Sequence, residues 1–79
     1  MGTRAPKSPT EIDAHLGAKL CELRIAHGLT QEKLGKRLGI SSMQVHKHER
    51  GIDRLSASRM FAIAHLFDMP VTTFFEELL

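Results

Sequence analysis

Thirteen residues, GISSMQVHKHERG from 39 to 51, concentrate the side chains of this sequence that could do chemistry. Ser41, Ser42, Gln44, His46, Lys47, His48 and Arg50 all carry hydrogen-bonding heads around Val45, the one β-branched apolar residue after Ile40. Catalysis needs a nucleophile and a base within reach of each other, and no Ser, Cys or Asp is paired with either histidine in that way. His46 and His48 stand two apart, which puts them on nearly opposite sides of a helix, so they cannot share a metal ion. No glycine-rich loop is spaced to cradle a nucleotide phosphate. The residues therefore point to no enzyme, no metal and no cofactor, and to a surface that binds.

Short helices must position that surface. Ser8, Pro9 and Glu11 spell a helix start, with Ser8 as cap, Pro9 at the first helical position and Glu11 where a capping box puts its carboxylate. Ile12, Leu16, Leu20 and Leu23 then recur every three or four residues until Gly28 stops the helix. Gly17 inside it is either a small penalty or a close contact. Thr30 caps a second helix, QEKLGKRL, with Leu34 and Leu38 inward and Gly39 at its end. Ser41 with Gln44 opens a third that runs to about Arg50, and Ser56 caps a fourth whose Met60, Ile63, Ala64 and Phe67 face inward. Pro70 ends that segment and opens VTTFFEELL, predicted as a fifth short amphipathic helix. Residues 1–8 read as a flexible basic arm and 9–79 as one all-α domain, with no strand alternation and no repeat.

Residues 31 to 50 form a unit. Two short helices cross steeply only if their backbones approach closely, which Gly35 permits, and Gly39 supplies a left-handed turn. Leu34, Leu38, Ile40 and Val45 fill the angle between them. This is the spacing of a helix-turn-helix, whose second helix is presented to the DNA major groove. With Val45 inward and 100° per residue, Met43 and Lys47 point outward, flanked by Arg50, His46 and Gln44, with Ser42 at the exposed N-terminal end.

With GLTQEKLGKRLGIS, Val45, HERG and LSASRMFAIAHLFDMPVTTFF in order, the sequence resembles the Cro/phage-repressor-type (Xre-like) helix-turn-helix family over residues 12 to 77, and is especially similar to its short bacterial members. The resemblance implies an all-α, five-helix lambda-repressor-like domain that binds operator DNA, commonly as a dimer, and regulates transcription. It implies a backbone phosphate contact for Gln31, base reading for Ser42, Met43 and Lys47, and a pair, Arg24 with Glu49, that ties the first helix to the end of the reading helix. Three residues depart from the pattern. His48 stands where a larger apolar or aromatic side chain is usual, Lys33 replaces the acid that would complete a capping box with Thr30, and Asp68 replaces a turn glycine.

Each contact has a chemical reason. Lys47 can donate to guanine O6 and N7, Met43 can press on a thymine methyl, and Gln44 can bond adenine, a phosphate or its own helix cap. Thr30 and Gln31 offer a phosphate seat at a helix N-terminus. Arg50, Arg54, Ser56, Ser58 and Arg59 surround a second, unless Arg54 only pairs with Asp53. Protonation of His46, on the flank, would raise DNA affinity as pH falls.

Phe61 and Phe67 are expected to fill the interior, leaving Phe74, Phe75, Leu78 and Leu79 on the last helix for a two-fold interface. The expected partners are double-stranded DNA and a second copy of the chain; the alternative is an antitoxin-like or adaptor module that uses the same fold to grip a protein. A net charge of +2 fits nucleic acid without requiring it. The single Cys21 excludes an internal disulfide, no apolar run reaches membrane-spanning length, and the expected compartment is the cytoplasm.

Overall fold

In the computed structural model, which describes residues 9–78, four α-helices are followed by one 3-10 turn. They are α1 (Pro9–Ala26), α2 (Gln31–Leu38), α3 (Ser42–Glu49) and α4 (Ala57–Leu66), with the turn at Val71–Phe75. The proposed Ser8 cap, the basic arm and Leu79 lie outside the described residues.

Three of the four helix starts are set by one hydroxyl each. Thr30 accepts a hydrogen bond from the Lys33 amide at 3.1 Å, Ser41 from Gln44 at 3.0 Å and Ser56 from Arg59 at 3.1 Å. The Thr30 cap therefore forms without the acid that Lys33 replaces. Such a cap satisfies one of the amides a helix start leaves bare and stabilises by ~1 kcal/mol.

The apolar stripe of α1 lands as its spacing requires: Leu16 and Leu20 are buried with Leu34 of α2, Val45 of α3, and Leu55, Ile63 and Phe67 in and around α4. Ile12, Leu23, Leu38, Ile40 and Met60 pack around this core. Between α2 and α3, a Cβ on Gly35 would sit 2.5 Å from the Ile40 carbonyl oxygen, so only glycine lets the two backbones meet there. Gly39 closes the turn at φ 74°. At the end of α4 the chain turns through Asp68 at φ 50°, a conformation that Asp tolerates better than most residues.

The C-terminal segment departs from expectation. The predicted fifth α-helix is a five-residue 3-10 turn, after which Glu76 is extended and Glu77 takes φ 70°. Val71, Thr72 and Thr73 follow Pro70 directly, and β-branched side chains restrict the first turn of a helix too short to gain stability from length. Phe74 is fully buried in the core and is not available to a partner, whereas Phe61, expected inside, is 67% exposed. Residue 61 lies some 200° round α4 from Ile63, so burying one presents the other.

Candidate nucleic-acid interface

The outward side of α3 is an exposed, mainly polar surface. Val45 has no exposure while Met43 is 60% exposed, and Ser42, His46, Lys47 and Arg50 are all exposed. The side chains of Lys47 and Arg50 make no hydrogen bond or ion pair with any other described residue, so their cations are free to meet another molecule.

One clamp fixes the C-terminal end of this helix. Glu49 is buried, and its carboxylate accepts from Arg24 Nε at 2.6 Å and Nη2 at 3.2 Å, a bidentate pair across α1 and α3. Gln31 Nε2 donates to the same carboxylate at 3.0 Å, and Arg24 Nη1 donates to the Leu29 carbonyl at 2.8 Å. Burial pushes the Glu49 carboxyl up, but the hydrogen bonds from Arg24 and Gln31, with the charge of Arg24, more than offset this and hold it below its ordinary value of 4.5. Burial, then the Glu49 carboxylate, push the Cys21 thiol up, which suits a packing role and not a reactive one.

The clamp works because the backbones touch. A Cβ on Gly17 would overlap the His48 carbonyl oxygen and stand 2.7 Å from that of Glu49, so α1 carries the last turn of α3 directly against its own backbone. Gly17 is therefore the close contact and not a tolerated penalty.

A second, partly buried network holds the opposite flank, and the sequence reading missed it. His48 is buried, with Nδ1 3.0 Å from the Asp53 carbonyl oxygen and Nε2 3.1 Å from Gln44 Nε2. Gln44 Nε2 also donates to Asp53 Oδ2 at 3.0 Å. The seam at His48 is thus filled by polar partners. Gln44 and His48 stand four apart, a spacing that signals contact on a helix; no local pattern signals Asp53, which joins them only because the chain folds back over the Lys47 carbonyl through the amides of Ile52 and Asp53.

Several expected contacts need correcting. The Gln44 side chain does not return to its own helix cap but runs toward Asp53. Arg54 pairs with Asp13 of α1 at 2.8 Å and not with Asp53. Arg59 is half-buried and donates to the Leu38 carbonyl at 3.1 Å, which ties α4 to the end of α2. Gln31 is committed to Glu49, with its amide nitrogen 3.4 Å from Nδ1 of exposed His46, so the α2 start offers its backbone amides and one weakly held side-chain hydrogen. Ser56 caps α4 and lies 3.1 Å from Ser58 Oγ.

A helix-turn-helix family model matches residues 22–74, two-thirds of the chain. The chain belongs to the Cro/phage-repressor-type helix-turn-helix family. It is 42% identical over 71 residues to an uncharacterized HTH-type transcriptional regulator of Sinorhizobium medicae, a match covering 90% of this chain and 51% of that protein. The chain spans about half the length of the curated relatives it matches first. Among solved structures it is similar to the restriction-modification controller protein C.AhdI of Aeromonas hydrophila, with a TM-score of 0.72 and 30% identity over 81% of this chain and 96% of that one. It is also similar to the DNA-binding domain of BldD, with a TM-score of 0.75 and 25% identity over 85% of this chain and 97% of that one. In this helix-turn-helix frame α2 and α3 are the motif, α1 backs α3, and the polar side of α3 is the face left open.

Proposed function

We propose that this chain is a transcription regulator that binds duplex DNA sequence-specifically, as a homodimer on an inverted-repeat operator, with α3 in the major groove. The observation that carries this reading is the outward side of α3: Ser42, Met43, Lys47 and Arg50 are exposed on a helix whose back is fixed at both flanks by buried or partly buried polar contacts. A site that reads base edges must hold its donors at fixed angles, and rigid support of this kind supplies that. Lys47 takes a guanine edge, Met43 a thymine methyl, and Ser42 the groove at the helix start. Phosphates on one side meet the Thr30–Gln31 helix start with His46, and on the other Arg50, Arg54, Ser56, Ser58 and Arg59 around the start of α4.

The dimer follows from size and chemistry. An eight-residue helix is about 12 Å long and reads only a few base pairs, so useful specificity needs two of them. Exposed Phe61, Val71 and Phe75 lie on α4 and the turn after it, and the groove beside them is lined by Ala64, His65, Met69 and Pro70. A second copy is the occupant we assign, meeting this apolar face with its own. The regulator acts in the cytoplasm, performs no catalysis and needs no cofactor.

Selection of bound duplexes from a random pool tests the reading. The expected product is a palindromic motif whose half-sites are separated by about one DNA turn, ~34–36 Å. Recovery of sequences with no common motif would overturn specific recognition, and a single unrepeated half-site would overturn the dimer.

A further inference from the structure

The network behind α3 fixes which end of an amide faces out. A carboxylate only accepts, so the atom of Gln44 set 3.0 Å from Asp53 Oδ2 is its NH2. That same nitrogen lies 3.1 Å from His48 Nε2, which must then be an acceptor and leave the ring proton on Nδ1. Nδ1 stands 3.0 Å from the Asp53 carbonyl oxygen, an acceptor that requires a proton there. Three independent contacts agree on one orientation and one tautomer. Turning the amide over would set oxygen against carboxylate and strand the imidazole. Both amide hydrogens are thereby consumed inside the protein, and only Oε1 of this half-buried residue retains hydrogen-bonding capacity.

Gln44 lies in the first turn of α3, the part of a reading helix that meets base edges. We propose that His48 and Asp53 are positioning residues that lock the Gln44 amide with its nitrogen inward, so that Gln44 meets DNA as an acceptor alone and reads an exocyclic amine, adenine N6 or cytosine N4. The inference rests on α3 being the groove helix. It excludes two roles that glutamine ordinarily has at such a position, the bidentate grip on adenine, which needs a donor for N7, and a bond to phosphate, which only accepts. The lock depends on a histidine where the family usually has an apolar side chain.

The test compares selected sequences and operator affinities for the intact chain, Gln44→Ala, and the double variant His48→Leu with Asp53→Ala. The double variant puts the usual apolar type at 48, and its melting curve confirms that it folds. One base pair per half-site should favour adenine or cytosine on the contacted strand, and Gln44→Ala should reduce that preference about ten-fold with an unchanged salt slope. If adenine is selected, 7-deazaadenine there should bind the intact chain within about two-fold, because N7 has no donor to lose. Freeing the amide in the double variant should make the same position sensitive to N7 while the bases read by Lys47 stay the same.

The inference is overturned if Gln44→Ala changes no base preference, if it lowers the salt slope, if guanine or thymine is preferred at that position, or if the double variant keeps the intact chain's pattern. Both Gln44 side-chain amide protons should also exchange slowly in the DNA-free protein, and rapid exchange of either would overturn the lock. Slow exchange in a chain that binds no duplex would instead count against α3 as a reading helix.

Discussion

Replacing Gly17 with alanine sets a gain against a clash, and the geometry says the clash is larger. Alanine in a helix interior is favoured over glycine by roughly 0.5–1 kcal/mol. The added methyl, however, would overlap the His48 carbonyl oxygen and stand 2.7 Å from that of Glu49, where ordinary contact begins at 3.4 Å, a shortfall of 0.7 Å. Both obstacles are backbone, so relief requires α1 and α3 to move apart as units. Overpacking of that kind costs typically ~1–3 kcal/mol, and two backbone walls place this site at the upper end. The expected net loss is about 2 kcal/mol, a fall of roughly 8–16 °C in melting temperature for a domain of this size. DNA affinity should fall with it, because the displaced turn carries Glu49 and the end of the reading helix. Urea unfolding followed by circular dichroism measures the difference. A Gly17→Ala protein as stable as the parent, or more so, would show that propensity wins and that α1 does not support α3 by direct contact.

Arg24→Ala leaves the Glu49 carboxylate buried with Gln31 as its main remaining donor, and should destabilise by ~3 kcal/mol, since removing one partner of a buried pair strands the other; a change under about 0.5 kcal/mol would mean that the pair fixes nothing. Because folding lowers the Glu49 pKa, its contribution is complete above about pH 4.5 and is lost as pH falls through the folded value. Stability should therefore decline in acid, and Glu49→Gln should flatten part of that decline when unfolding free energies are measured from pH 7 to pH 3. Lys47→Ala should change which bases are selected, whereas Gln31→Ala should weaken all sequences alike; uniform loss in both would refute the division between reading and clamping.

The fold was legible wherever one residue carries one local duty. Thr30, Ser41 and Ser56 cap helices, Gly35 and Gly39 make the elbow, and the leucines of α1 face inward, because each effect spans no more than four residues. Sense failed where the outcome depended on distant neighbours. Nothing near residue 74 says that Phe74 fills the core while Phe61 stays outside, since that choice is made by which side of α4, and of the turn after it, faces the shared core. The outward face of α3 was readable from helical geometry with Val45 as the inward mark. Its support was only half so: the Arg24–Glu49 pair came through family resemblance, and the Asp53 contact, the Asp13–Arg54 pair and the Arg59–Leu38 bond came from the three-dimensional arrangement alone.

Titration with diverse duplexes across a salt series tests most directly whether α3 is a DNA-reading surface. A dimer that neutralises ~6–10 phosphates should bind at low ionic strength and lose affinity with a log–log slope of roughly −5 to −9. No complex at low salt, or binding that salt barely affects, would contradict the account and turn attention to a protein as the partner of this face.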